Sequence, residues 1–405
     1  MKRIALVGNV NNNLFAITRH LRDAGYDAHL FYRTPMPHFH PMADTYSLSY
    51  TDYCHEVNWL DKNLHYADGN NVRKMLSGFD FYIGQGDEAA VAFRFGFIMD
   101  VYYPYGSDVY KYAHLPAKFN SGRMLYTLLK GEATEYKLMK TGTIASFIKG
   151  AITNARYILA EYRNEEYEDR LKALHYKGKY EHVPMPFIYT KEYDNLATNK
   201  SADVHWKSEI DNMRQSHDFI ILYHGRQEWK TEHNDFTGKN THHLIIGFAQ
   251  YLKQNPLANI CLCMVEYGSD IQYSKQLIVE LGINNRVKWF PKMYRKDIMY
   301  LIHNVDVCCG EFKFSDLTFG TIVEAMLMGK PVIHHRKDEM FTEQYKDLYP
   351  MLHAKQPEEI AVAISNAIDD KAALIEMGNT AKKWIITNFI ERPMQHLINI
   401  IEQKQ

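Results

Sequence analysis

The stretch that most restricts this chain is Asp306 to His335, DVCCGEFKFSDLTFGTIVEAMLMGKPVIHH, which compresses a strand, a loop, a helix and a second strand. Asp306–Cys309 is a short apolar run without polar alternation, the pattern of a strand buried on both faces. Glu311–Asp316 is polar and aromatic, and Gly320 precedes the helix-forming run Thr321–Met328. Gly329 ends that helix as a C-cap glycine, Pro331 cannot continue it, and Pro331-Val332-Ile333 opens the next buried strand. Strands of this kind need helices over both faces of a parallel sheet, which confines the chain to an α/β layer fold.

A loop that ends at a glycine and opens a helix presents free backbone N–H groups at the positive end of the helix dipole, a place for phosphate. Asp316 and Glu324 stand eight positions apart across this opening. Carboxylates in a pocket positive enough to keep them ionised accept hydrogen bonds from sugar and ribose hydroxyls. An αβ unit that binds nothing has the same loop, glycine and helix. The D-x7-E order followed by GKPVI, together with the rest of the chain, favours a ligand.

The same alternation runs along the whole sequence. Arg3–Val7 reads as a strand, followed by Gly8 and a turn holding Asn11 and Asn12, a helix through Arg22, and a strand over Asp27–Tyr32. The glycines of a dinucleotide fingerprint are missing after Gly8. Asparagine amides at that turn either cap the helix or bond a polyhydroxylated ligand. Thr34–Asn70 lacks periodicity and reads as a long irregular insertion, with His38 and His40 at the surface for want of a third metal ligand. Strands over Phe79–Ile83 and Ile98–Tyr103 end in the polar loops of Asp87 and Asp108. In an open parallel sheet, ligands collect at such carboxyl ends. Lys118–Arg156 carries seven Lys/Arg against Glu132 and Glu135, interleaved with apolar residues, and reads as a basic amphipathic surface for anionic lipid. From Phe219 onward the pattern repeats: strands over 219–223, 260–265, 287–290 and 306–309, with helices over 241–253 and 297–303 and a closing helix over 371–389.

At 405 residues with this double pattern, the chain predicts two doubly wound Rossmann-like domains facing across a cleft. We expect an N-terminal domain over 1–185, a connector over 186–217, a C-terminal domain over 218–390 and a tail over 391–405. The net charge of −1 argues against a nucleic-acid partner. Four of the five cysteines sit in strand-like runs and read as buried hydrophobes, so no metal site is expected and the compartment is cytoplasmic. No signal peptide or membrane-spanning run is apparent.

Several motifs, in this order, resemble the GT-B glycosyltransferases, specifically the retaining family 4. ILYHGR, KNTHHLIIGFAQYL, LCMVEYGSD, VKWFPKMYRKDIMYLIHNVDV and SDLTFGTIVEAMLMGKPVI carry the likeness in the second half, and YPYGSD and HVPMPFIY in the first. The resemblance implies that Arg226, beside Gly225, and Lys239 meet the leaving diphosphate of a nucleotide sugar. It further implies that the backbone N–H groups of Gly320, Thr321 and Ile322 receive phosphate, that Glu324 takes the ribose and Asp316 the donor sugar, and that Trp289, Phe290 and Pro291 border the base. Asn11, Asn12, Asp87 and Asp108 would face the acceptor. This sequence departs from the family pattern in having Asp316 for a glutamate, which makes Glu311 the alternative for that role. The loop between Arg226 and Lys239 is long, so Lys230 competes with Lys239. Glu266 and Pro291 stand where the family has glycines.

The implied reaction is retaining transfer of a sugar to a glycan, glycolipid or polyprenyl-linked acceptor, in bacterial surface polysaccharide synthesis, without cofactor or metal. UDP is favoured over GDP as the carrier, and the enzyme would be peripheral on the inner face of the membrane. The alternatives are a nucleotide-sugar 2-epimerase of the same fold and a non-catalytic partner in a membrane assembly complex.

Overall fold

The computed structural model describes residues 1–60, 69–115, 129, 143–160, 165–194, 196, 203–231, 238–313, 317–318 and 320–404. It divides into two compact units, one of Met1–Tyr189 with Asn388–Gln405, the other Thr190–Thr387.

The first unit is built on a parallel sheet of β1 (Arg3–Val7), β2 (Asp27–Tyr32), β3 (Cys54–Glu56), β4 (Phe81–Gly84), β5 (Val101–Tyr102), β6 (Tyr157–Ala160) and β7 (Lys179–His182). Their order is β3-β2-β1-β4-β5-β6-β7. Side chains of β1 alternate between the two faces, as a pleated strand requires. Ala5 and Val7 join a core layer with Ile144, Ile148 and Ile152 of the helix Thr143–Asn154. Ile4 and Leu6 join the opposite layer with Leu14, Ile17 and Leu21 of the helix Asn13–Asp23.

Two expectations change here, and a third is only partly described. Thr34–Asn70 is less irregular than it reads, because Cys54–Glu56 adds β3 beside β2. Within Lys118–Arg156, residues 116–128 and 130–142 lie outside the described residues. The helix Thr143–Asn154 spends Ile144, Ala145, Ile148, Ala151 and Ile152 on the core and leaves Lys149 exposed. The expected tail over 391–405 is instead the helix Arg392–Gln403, which returns to the first unit and buries Met394, Leu397, Ile400 and Ile401 with Ile4 and Leu6. Lys2 Nζ fastens its end, donating to the carbonyls of Ile401 at 2.7 Å and Lys404 at 2.6 Å.

The second unit repeats the plan with β8 (Phe219–Tyr223), β9 (Ile260–Glu266), β10 (Val287–Pro291), β11 (Val307–Cys309), β12 (Val332–His334) and β13 (Leu352–His353), in the order β10-β9-β8-β11-β12-β13. All five residues of β8 are buried, matching the unbroken apolar run. The helix Thr241–Gln254 lies against Pro357–Asp369, and Gly247 permits the contact: a Cβ there would sit 2.6 Å from the Pro357 carbonyl oxygen. From β8 the chain winds outward to β10, then resumes on the other side of β8 with β11. The strand order therefore reverses between β8 and β11, the point where α/β sheets open a crevice at their carboxyl ends. In the first unit the corresponding reversal lies between β1 and β4. Among the described residues, no helix is long and apolar enough to cross a membrane.

The buried C-terminal helix makes Leu397→Ala a core truncation. It should cost about 2–5 kcal/mol of stability, read as a lowered urea midpoint, whereas a tail residue would leave the midpoint unchanged.

Candidate functional site

The second unit gathers its polar side chains at this reversal. β8 runs into His224-Gly225-Arg226, β11 into Gly310-Glu311, and the helix Gly320–Leu327 begins after them. Gly310 has no room for a side chain, since a Cβ would meet His334 Cβ at 2.8 Å and Ile322 at 2.9 Å. The helix opens at Gly320, as the sequence predicts, with Gly320 exposed and Ile322 buried, so only the backbone of Ile322 is available to a ligand.

Glu324 lies one turn into that helix. His224 Nε2 stands 3.0 Å from its Oε2, and Arg295 Nε donates to its Oε1 at 3.1 Å. Burial pushes the Glu324 carboxyl up, but the His224 hydrogen bond and the Arg295 charge outweigh it and hold the group below its usual range. An ionised carboxylate only accepts, so His224 Nε2 carries the proton and donates. The buried His224 Nδ1 has no hydrogen-bond partner among the described residues.

Arg226 and Lys239 stand at the two ends of the long loop after β8. Arg226, half exposed, donates from Nε to the Tyr267 hydroxyl at 3.1 Å, with Nη1 3.8 Å from Glu228 Oε1. Lys239 Nζ lies 2.5 Å from Glu311 Oε1, and both side chains are largely buried. Main-chain bonds brace this pair: Lys239 N donates to Glu228 O at 2.6 Å, Phe312 N to Lys239 O at 3.2 Å, and His335 N to Glu311 O at 3.1 Å.

Asp270, after β9, pins the start of the loop. Its buried carboxylate accepts from the N–H groups of Trp229 at 2.6 Å, Lys230 at 2.8 Å and Thr231 at 3.2 Å, and from the Thr231 hydroxyl. Gln227 N donates to Tyr267 O at 2.6 Å, and a Cβ on Gly268 would meet Gln227 N at 2.5 Å, so only glycine allows this approach. Lys230 is bonded here through its backbone, with its side chain exposed.

Asp316 lies outside the described residues. Of the three residues expected beside a base, Trp289 is half-buried and Pro291 exposed on the edge strand β10. Phe290 is buried, its ring 6.3 Å from that of Trp206, so it offers a ligand no side-chain surface. Gly225 is buried behind Arg226.

In the first unit, Asn11 is exposed with left-handed backbone, φ 54°. Asn12, by contrast, is fully buried. Its amide donates to the carbonyls of His38 and His40, each at 3.0 Å, and its Oδ1 accepts from Asn9. It therefore neither caps the helix nor meets an acceptor, and a structural use that the sequence reading did not weigh takes its place. Asp108 is likewise buried, accepting from the Tyr102 hydroxyl at 3.0 Å and from Tyr105 N and Val109 N. Burial pushes its carboxyl up to about 6. It braces the Tyr105–Val109 turn and has no surface for a ligand. Asp87 keeps some exposure at the start of the helix Gly86–Arg94, 3.2 Å from Arg33 Nη2, while Glu88 meets Arg33 Nε at 2.9 Å. Burial and the Glu88 charge push the Asp87 carboxyl up to about 6 against the pull of Arg33.

His224, Arg295, Tyr267, Glu228 and Asp270 belong to the site without having been singled out. Arg295 left one signal: it occupies the first position of the helix Arg295–His303, where the helix dipole disfavours a cation.

Residues 217–384, most of the second unit, match the family described as glycosyl transferases group 1. No curated protein sequence matches the chain. Among solved structures, HepE of Anabaena in complex with UDP is similar at 17% identity and a TM-score of 0.57, covering 99% of this chain and 100% of that one. WaaG, a glycosyltransferase involved in lipopolysaccharide biosynthesis, gives 13% identity, a TM-score of 0.53 and full coverage of both chains. Sucrose-phosphate synthase from Thermosynechococcus elongatus gives 15% identity and a TM-score of 0.54, covering 100% of this chain and 99% of that one. The chain thus has the two-domain GT-B architecture, and its second unit is the part that resembles the glycosyl transferases group 1 family.

Asp270 yields a test of the loop geometry. Although burial pushes its carboxyl up, the Thr231 hydroxyl and the three N–H groups prevail and hold it far below the usual range. Its stabilisation is present above the unfolded pKa of about 4 and lost as pH falls below that. The stability gap between wild type and Asp270→Asn should therefore be widest at neutral pH and shrink on acidification, read from urea midpoints between pH 7 and pH 3.

Proposed function

We propose that this protein transfers a sugar from a nucleotide diphosphate sugar, with retention of configuration, in the manner of family 4. The observation that supports the reading is that Arg226 and Lys239, after β8, and Glu324 with the start of the Gly320 helix, after β11, lie on the two connections that leave the sheet where its strand order reverses. Glu324, kept ionised and aimed by His224 and Arg295, accepts from the ribose hydroxyls. N–H groups at Gly320, Thr321 and Ile322 receive phosphate. Arg226 and Lys239 neutralise the charge that builds on the departing diphosphate. The acceptor hydroxyl attacks on the face that the diphosphate leaves, and the leaving phosphate oxygen takes its proton. Rate then comes from positioning and charge stabilisation rather than from a protein nucleophile. Trp289 and Pro291 border the base, and Asn11 and Asp87 serve the acceptor. UDP is the preferred carrier, a choice supported by the UDP bound in HepE. A glycan or lipid-linked acceptor at the cytoplasmic face of the membrane, in surface polysaccharide synthesis, completes the reading, with the basic segment Lys118–Arg156 touching anionic lipid.

One observation favours a second reading. The buried His224–Glu324 pair is the kind of acid–base group that a nucleotide-sugar 2-epimerase requires. Incubation with the nucleotide sugar alone separates the two, since an epimerase yields the epimer without acceptor and a transferase does not.

Arg226→Ala and Glu324→Gln should each lower transfer by roughly a hundredfold or more while the protein stays folded. Glutamine is the better replacement at 324 because it removes the charge but keeps an oxygen that can still accept from Arg295 or His224, which alanine would not. Full activity in both variants would refute the site. A thermal-shift panel of nucleoside diphosphates and their sugars should show stabilisation by one base, and silence across the panel would favour the non-catalytic partner.

A further inference from the structure

We propose that Glu311 is a competing anion rather than a ligand of the donor sugar: it holds the Lys239 ammonium until the diphosphate displaces it, and so sets how tightly the nucleotide product is retained. The inference rests on the donor-site reading above.

The observations are geometric. Lys239 Nζ and Glu311 Oε1 are 2.5 Å apart, with the two side chains only 12% and 9% exposed, so water screens the pair weakly. Neither residue sits on a free segment. Lys239 is tied through its N–H to Glu228 and through its carbonyl to Phe312, the residue after Glu311, while the Glu311 carbonyl accepts from His335 N. The backbone thus delivers carboxylate and ammonium to each other before any ligand arrives. The same arrangement recurs at the neighbouring cations. Arg226 has Glu228 at 3.8 Å, and Arg295 has Glu324 at 3.1 Å. Every cation that the donor reading employs therefore already faces a carboxylate.

The consequence follows from charge alone. A diphosphate that engages Lys239 must take the ammonium from Glu311, and what it gains is the difference between two ion pairs. The same difference favours release, because Glu311 is in place to recapture Lys239 as the nucleoside diphosphate leaves. Glu311→Gln keeps the length and the accepting oxygen of the side chain but removes the charge. The ammonium then loses the charge of that carboxylate, and the phosphate can take its place.

The test is titration calorimetry with UDP on the full-length wild type, Glu311→Gln, and Glu311→Gln combined with Lys239→Gln. The expected result is a Kd about tenfold or more lower in Glu311→Gln, with a steeper loss of affinity as salt rises. The gain should vanish in the double variant. With transfer assayed, KM for the nucleotide sugar and kcat should both fall, since product release slows. A merely structural role for Glu311 would weaken binding, so unchanged or weaker UDP affinity in Glu311→Gln overturns the proposal. If Glu311→Gln fails to fold, Glu311→Asp keeps the charge but draws it back by one methylene, and UDP affinity should rise by a smaller factor; no rise overturns the proposal. Silence of wild type towards every nucleoside diphosphate overturns the donor-site reading and this inference with it. UDP binding by wild type without a gain in the variant overturns the inference alone.

Discussion

An ionised carboxylate is unfavourable inside a protein unless opposite charge and hydrogen bonds meet it. The second unit is arranged around one such group, Glu324. Its partners come from two different connections, His224 from the end of β8 and Arg295 from the start of the helix before β11. They converge because the strand order reverses beside β8, so that residues distant in the chain share one crevice. Moving any of these elements by one residue would strand a buried charge. The carboxylate therefore acts as a gauge of register for the unit as well as a hydrogen-bond acceptor.

The loop between Arg226 and Lys239 shows how a long insertion can still present charge at a defined place. Its start is laced to the turn after β9 by Asp270, Gln227 and the side chains of Trp229 and Ser274. Its end is bonded to the segment after β11 through Lys239. Both cations are thereby anchored at the loop's ends. Arg226 stays half exposed and adaptable, whereas Lys239 is enclosed and paired with Glu311.

Much of this was legible in the sequence. The unbroken apolar runs at 219–223 and 260–265 have no other use than strands covered on both faces, and β8 and β9 lie there. Gly320 opens its helix as read, and Gly329 ends it in left-handed backbone, φ 69°, where glycine and the following Pro331 leave little choice. What escaped were consequences of long-range pairing. Nothing local says that Arg295 reaches Glu324, or that Asp108 turns inward to Tyr102. Asn12 escaped for another reason: its left-handed backbone, φ 61°, aims the amide at the carbonyls of the following insertion. The helix Arg392–Gln403 has apolar residues at helical spacing, but spacing cannot say which of two sheets it will cover.

That returning helix has a bearing on how the protein is made. Ile4 and Leu6 leave the ribosome before the whole second unit, yet the layer above them is closed by Leu397 and Ile401, which are translated after it. Throughout synthesis the first unit must carry an open apolar face, while the second unit, continuous over Thr190–Thr387, already has all the chain it needs. Folding should accordingly run against the order of translation at its final step. The interval before the last helix docks is when a nascent chain of this design is most exposed to aggregation and most dependent on chaperones.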